Sequence, residues 1–167
     1  FASDDEGLDW TNARIEVVEL ASGERHEVLR GGYYPRYVSS GHILYANGDS
    51  LFAVPFDLGR LETTGPPFRV LSGLASNSAV GTAQFSLADD GTMLYLPGLD
   101  SNSTFRMRLI VNDREGAPAT VGSDFSGGDV SGAFGGVGGL ILQPSLSPDG
   151  RLLAYVVSQS GGDGDVW

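Results

Sequence analysis

The chain has 167 residues, a formal net charge of −11 and an apolar fraction of 41%. That is enough for one domain with a core, but the charge argues against a nucleic-acid partner, since phosphate binding needs clustered cations. All ten basic residues are Arg and there is no Cys, which excludes P-loop, Schiff-base and kinase-type lysines, disulfides, thiolate metal sites and a Cys nucleophile.

No apolar run approaches the roughly 18 residues of a membrane span. The 25 glycines, about twice an ordinary share, point to many turns between short strands, and helical periodicity is absent. The sequence opens on Phe1 without a Met or a signal-peptide pattern, which reads as a trimmed chain or a piece of a larger polypeptide.

In chain order, "ARIEVVELASGERHEVL" (Ala13–Leu29) predicts a strand pair turning at Ala21-Ser22-Gly23. "RYVSSGHILYANGDSLFAV" (Arg36–Val54) predicts a hairpin around Gly41. "DSLFAVPFDLGRLETTGPPFRVL" (Asp49–Leu71) continues it with a strand through Leu51–Phe56, a loop at Gly65-Pro66-Pro67 and a short strand Phe68–Leu71. "FSLADDGTMLYLPG" (Phe85–Gly98) predicts a second hairpin, and "FRMRLIVNDREGAPATV" (Phe105–Val121) another pair around Arg114-Glu115-Gly116. A glycine-rich loop covers 122–140, and "SLSPDGRLLAYV" (Ser145–Val156) is a third hairpin.

The three hairpins are copies of one unit. Each runs from an apolar residue through a short polar turn to Gly (Gly41, Gly91, Gly150), then along a strand that ends in Tyr (Tyr45, Tyr95, Tyr155). The glycines lie 50 and 59 residues apart, close to the roughly 40 to 50 residues of a propeller blade. Asp-Gly closes such turns because Gly tolerates positive φ and Asp can bond the turn backbone. Apolar residues on both faces of the strand after the turn, such as Ile43, Leu44 and Tyr45, suit a sheet stacked between two others.

Candidate chemistry is sparse. The glycine-rich stretch has no GxGxxG and no following P-loop Lys, leaving a surface loop or lid. His26 and His42 stand away from any G-x-S-x-G elbow, and His26-Glu27 cannot begin HExxH because position 30 is Arg. The acidic turns "GGDGDVW" (Gly161–Trp167) and Asp89-Asp90 raise calcium as the one metal to consider, yet calcium takes six to eight oxygens from several segments. No catalytic, cofactor-binding or metal-ligating residue is therefore assigned. Trp10, Tyr33, Tyr34 and Arg36 are the candidate binding-face residues, because Tyr and Arg are favoured at binding hot spots. The competing expectation is that the Tyr33-Tyr34-Pro35 run packs where blades meet.

With "LSPDGRLLAY" and its relatives in view, the chain resembles the TolB-type, WD-repeat-like family of six-bladed β-propeller repeats. Gly164-Asp165-Val166-Trp167 matches the "DIW"-like start of that family's third strand, and Leu20-Ala21-Ser22-Gly23-Glu24 resembles its "DLxTGE" turn. Ser40–Pro67 is similar to propeller regions downstream of bacterial Ser/Thr kinase domains. The resemblance covers Arg14–Trp167. The first copy lacks the Pro and Asp of the turn, and the third repeat carries the glycine-rich insertion.

The resemblance implies an all-β chain of four-stranded antiparallel blades: a half blade at 13–29, blades at 34–71 and 83–121, and a half blade at 141–167. About three blades fall short of the four to eight that close a ring, so either the remaining blades belong to a longer protein or two copies joined head-to-tail complete six. The implied function is a non-catalytic module for binding a protein or a small ligand, within a larger protein. Two alternatives stand beside it: the regulatory propeller of a Ser/Thr kinase or serine peptidase, and a metal-dependent propeller hydrolase or lactonase. The resemblance also suggests a periplasmic location.

Overall fold

The computed structural model describes residues 1–3, 9–98, 110–112, 118–120, 140–158 and 165–166. The chain is all-β, built of several antiparallel sheets, with no α-helix among the described residues. It divides into two units, Phe1–Ala83 and Gln84–Trp167.

In the first unit, β1 (Ala2–Ser3), β2 (Arg14–Val18) and β3 (Arg25–Arg30) form one sheet in that order. The predicted pair at Ala13–Leu29 is thus β2–β3, with β1 added along β2. A single 3-10 turn, Trp10–Asn12, precedes β2 and was not foreseen by the sequence reading; Asp9 caps it by accepting the Thr11 N–H. The second sheet runs β4 (Tyr33–Val38), β5 (His42–Asn47) and β6 (Ser50–Asp57). A short β7 (Glu62–Thr63) pairs with the end of β6, and β8 (Phe68–Ser72) pairs along its start. A small hairpin, β9 (Ser76–Asn77) with β10 (Thr82–Ala83), ends the unit.

The two larger sheets meet through apolar side chains. Ile15 of β2 lies with Ile43, Tyr45, Val54 and Phe56 in one buried cluster, flanked by Val17, Leu29 and Phe52. Alternation explains the membership: Ile43 and Tyr45 on β5, and Val54 and Phe56 on β6, point to the same side of the sheet.

The second unit holds a four-stranded sheet, β11 (Phe85–Leu87), β12 (Met93–Tyr95), β13 (Ile110–Asn112) and β14 (Pro118–Thr120), in chain order. A three-stranded sheet follows: β15 (Leu140–Leu146), β16 (Leu153–Ser158) and β17 (Asp165–Val166). The Leu146 N–H of β15 donates to Ser86 Oγ of β11 at 2.8 Å, joining the two sheets through their first strands. The predicted turn at 114–116 and the glycine-rich stretch, apart from Leu140 in β15, lie outside the described residues.

The three repeat turns share one geometry. Gly41, Gly91 and Gly150 have φ of 78°, 92° and 69°, the left-handed region open to Gly without steric cost. Each donates its N–H to the carbonyl three residues back, on Val38, Ala88 and Ser147, at 3.0, 3.1 and 2.9 Å. The first turn keeps this form without Pro or Asp because the glycine and the closing hydrogen bond define it. In the other two, Asp90 and Asp149 add a carboxylate that accepts the N–H two residues on, from Thr92 and Arg151.

A second common feature lies one step further from the turn. On β4 the register passes from Tyr33↔Ala46 to Arg36↔Leu44, so Tyr34-Pro35 bulges opposite Tyr45. On β15 it passes from Leu142↔Val156 to Ser145↔Ala154, so Gln143-Pro144 bulges opposite Tyr155. Pro has no N–H to give a ladder, and a bulge is where a strand accepts it. The middle copy carries Phe85 at this place and pairs it regularly with Tyr95.

Candidate functional site

The bulge on β4 gathers three of the four candidate binding-face residues, and the structure separates their roles. Tyr33, before the bulge, is fully buried, and its hydroxyl donates to the Gly48 carbonyl at 3.1 Å. Burial pushes its phenol above the ordinary value. Tyr33 is therefore a core residue, as is its register partner Ala46.

Tyr34 is half-buried and has φ 56°; among the described residues only Leu61 shares that left-handed conformation without being Gly. For a residue with a Cβ this costs about 1–2 kcal/mol. The bulge turns the Tyr34 ring beneath Arg36, whose guanidinium carbon stands 4.2 Å from the ring centroid. Such stacking returns roughly 0.5–1 kcal/mol at an exposed site and fixes the plane of the guanidinium. One arm of Arg36 donates to the Pro35 carbonyl at 3.0 Å. Arg36 makes no ion pair among the described residues, in contrast to Arg30, held by Glu27 at 2.8 Å, and Arg60, held by Glu62 at 3.2 Å. Arg36 is exposed, and its guanidinium carries the fork of donors that suits a carboxylate or another planar acceptor.

Trp10 sits apart from this pair. Its N–H donates to the Ser78 carbonyl at 2.9 Å, and its ring covers Gly81 so closely that a Cβ there would lie 2.7 Å from the indole. Trp10 anchors the 3-10 turn onto the β9–β10 hairpin, a packing role.

Other polar candidates have local partners. His42 Nδ1 lies 3.2 Å from Ser40 Oγ, and its ring meets Phe68 edge-on at 6.0 Å. His26 faces Glu24 at 3.6 Å. Among the described residues no three His, Asp or Glu side chains come together as a metal-holding group. The acidic turn 161–167 has no described side chain, so the calcium expectation there falls outside the described residues.

Two structural residues escaped the sequence reading. Gly32 lies flat under Tyr45, where a Cβ would come within 2.2 Å of the ring. Asn47 ties three segments by donating Nδ2–H to the carbonyls of Gly31 and Thr11 at 2.8 and 3.4 Å. The Gly31-Gly32 doublet was a visible signal for the first; no residue pattern marks the backbone partners of Asn47.

No protein-family model matches the sequence, and no curated protein matches it with significance.

Proposed function

We propose that this chain is a binding module of β-propeller type, made of repeated antiparallel blades, acting without catalysis as part of a larger protein. The observation that carries the reading is the common turn: three hairpins closed by the same glycine hydrogen bond at the same φ. The Pro bulge shared by the first and third copies supports it, as does the seating of β15 against β11 through Ser86. Repeats of this kind bury their faces against one another and leave their loops for recognition.

Within this reading Tyr34 and Arg36 form the ligand contact. A strained aromatic beneath an exposed guanidinium with no acid partner among the described residues suits an acidic or carboxylate-bearing peptide. Closure into a six-bladed ring by two copies belongs to the same proposal, and a solution mass near twice 17.5 kDa that persists on dilution supports that part.

The testing experiment is a selection from a displayed peptide library, run in parallel on the chain and on its Arg36→Ala variant. Enrichment of acidic peptides that bind the chain and not the variant supports the reading. No enrichment, or equal binding to both, counts against Arg36 as the contact.

A further inference from the structure

The turn between β5 and β6 carries a chemical property unrelated to ligand binding. Of the five asparagines, Asn47 alone is followed by glycine. Asn47 pairs with Ser50, so Gly48-Asp49 is a two-residue connection. Gly48 has φ 58° and Asp49 is not left-handed, the type II′ pattern. Gly48 is exposed, and its N–H makes no hydrogen bond among the described residues, while its carbonyl accepts the hydroxyls of Tyr33 and Ser76. The backbone nitrogen beside the Asn47 side chain is thus unencumbered and has no neighbouring Cβ to crowd it.

We propose that Asn47 is a spontaneous deamidation site, and that its conversion releases the Trp10–Asn12 turn from β4 and β5. The Gly48 nitrogen, losing its proton, forms a bond to Asn47 Cγ; the Cγ–Nδ2 bond breaks and ammonia leaves. Water then opens the five-membered imide at either carbonyl, giving Asp or isoaspartate at position 47. No oxidant or cofactor takes part.

The fold sets both the rate and the consequence. While Nδ2 is held by the carbonyls of Gly31 and Thr11, the side chain cannot swing onto the Gly48 nitrogen, so reaction proceeds from openings of the turn. After conversion the position holds a carboxylate, an acceptor where two carbonyl oxygens require a donor. Asp9 and Asp49 already lie close enough to raise the Tyr33 phenol, so a third negative charge enters the same neighbourhood. The clamp cannot re-form.

The test uses the full chain, incubated in mildly alkaline buffer with and without urea, then digested and mapped by mass. The expected result is a gain of about 1 Da confined to the peptide containing Asn47, with isoaspartate present and conversion faster in urea. The more acidic product, separated by ion exchange, should unfold at a lower temperature than the unreacted chain. An Asn47 that stays unmodified while a free peptide of sequence YANGDS converts fully under the same native conditions overturns the proposal. A deamidated product that unfolds at the temperature of the unreacted chain overturns the release of the clamp.

Discussion

The backbone N–H of Asp89 donates to the carbonyl of Pro148 at 2.8 Å. These residues occupy the same place, the second position, of two successive repeat turns, so like turns are hydrogen-bonded to each other. Gly150 rests beside Ala88, where a Cβ would meet the Ala88 methyl at 3.4 Å. Together with the Leu146–Ser86 bond, this fixes the register between the β11–β12 and β15–β16 hairpins. Ser86→Ala leaves the part-buried Leu146 N–H without its acceptor and should destabilise the second unit by about 1–2 kcal/mol. Gly150→Ala, forced to keep a left-handed φ against that contact, should lose a similar amount, about 1–2 kcal/mol. Urea unfolding of each variant checks both values, and an unchanged midpoint for Ser86→Ala would show that the hydrogen bond contributes nothing.

Two glycines separate steric from conformational cost. Gly32 does not need a positive φ, yet a Cβ there runs into the Tyr45 ring at 2.2 Å, and Tyr45 is fixed by stacking on Phe52 at 5.7 Å. Gly32→Ala should therefore destabilise the first unit by about 3 kcal/mol, at the upper end of overpacking costs. Gly23 has φ 76° and open space around it, so Gly23→Ala should lose only about 1 kcal/mol. Thermal unfolding of the two variants, side by side, should give a clearly larger shift for Gly32→Ala.

Much of this architecture was legible in the residues. Gly41, Gly91 and Gly150 located the three hairpins because a left-handed turn position leaves Gly few substitutes, and alternation put Ile43 and Tyr45 on one face of their strand; that Val54 and Phe56 join them is seen only in the structure. The bulges were harder to read. Pro35 and Pro144 each stand six residues before their turn glycine, but a Pro alone signals the end of a ladder as readily as a bulge within it. The candidate site was half legible for the same reason. Tyr33 and Tyr34 are chemically identical neighbours, and only the register of the bulge sends one into the core and the other beneath Arg36. Asn47 was hidden because its partners, Thr11 and Gly31, offer only backbone carbonyls, which no side-chain pattern announces.

Arg36 tests whether the platform is recognition or support. The residue is exposed and makes no ion pair among the described residues; its losses on Arg36→Ala are the stacking on Tyr34 and one bond to Pro35. Stability should fall by no more than about 1 kcal/mol, read from urea unfolding, while peptide capture disappears. Tyr34→Gly relieves the left-handed strain but removes the half-buried ring that carries Arg36, so it too should lose capture. A large loss of stability in Arg36→Ala would assign the pair to the framework instead.

Alkaline pH provides an independent probe of the core. Burial raises the phenols of Tyr33 and Tyr45 above the ordinary value of 10.0. In the unfolded chain both release their protons near that value, while the folded chain still holds them, so the folded state binds more protons above it. Stability is then fully present below about pH 10 and falls as pH rises from there through the folded values. The two variants should differ in an informative way. Tyr45 makes no hydroxyl hydrogen bond in the described structure, so Tyr45→Phe should be close to neutral at pH 7 and should flatten the alkaline decline. Tyr33→Phe should also flatten it, but at a loss of about 1 kcal/mol at pH 7, because the Gly48 carbonyl loses its donor. Urea midpoints measured from pH 7 to pH 11 would give both slopes, and a decline unchanged in the double variant would show that neither phenol controls it.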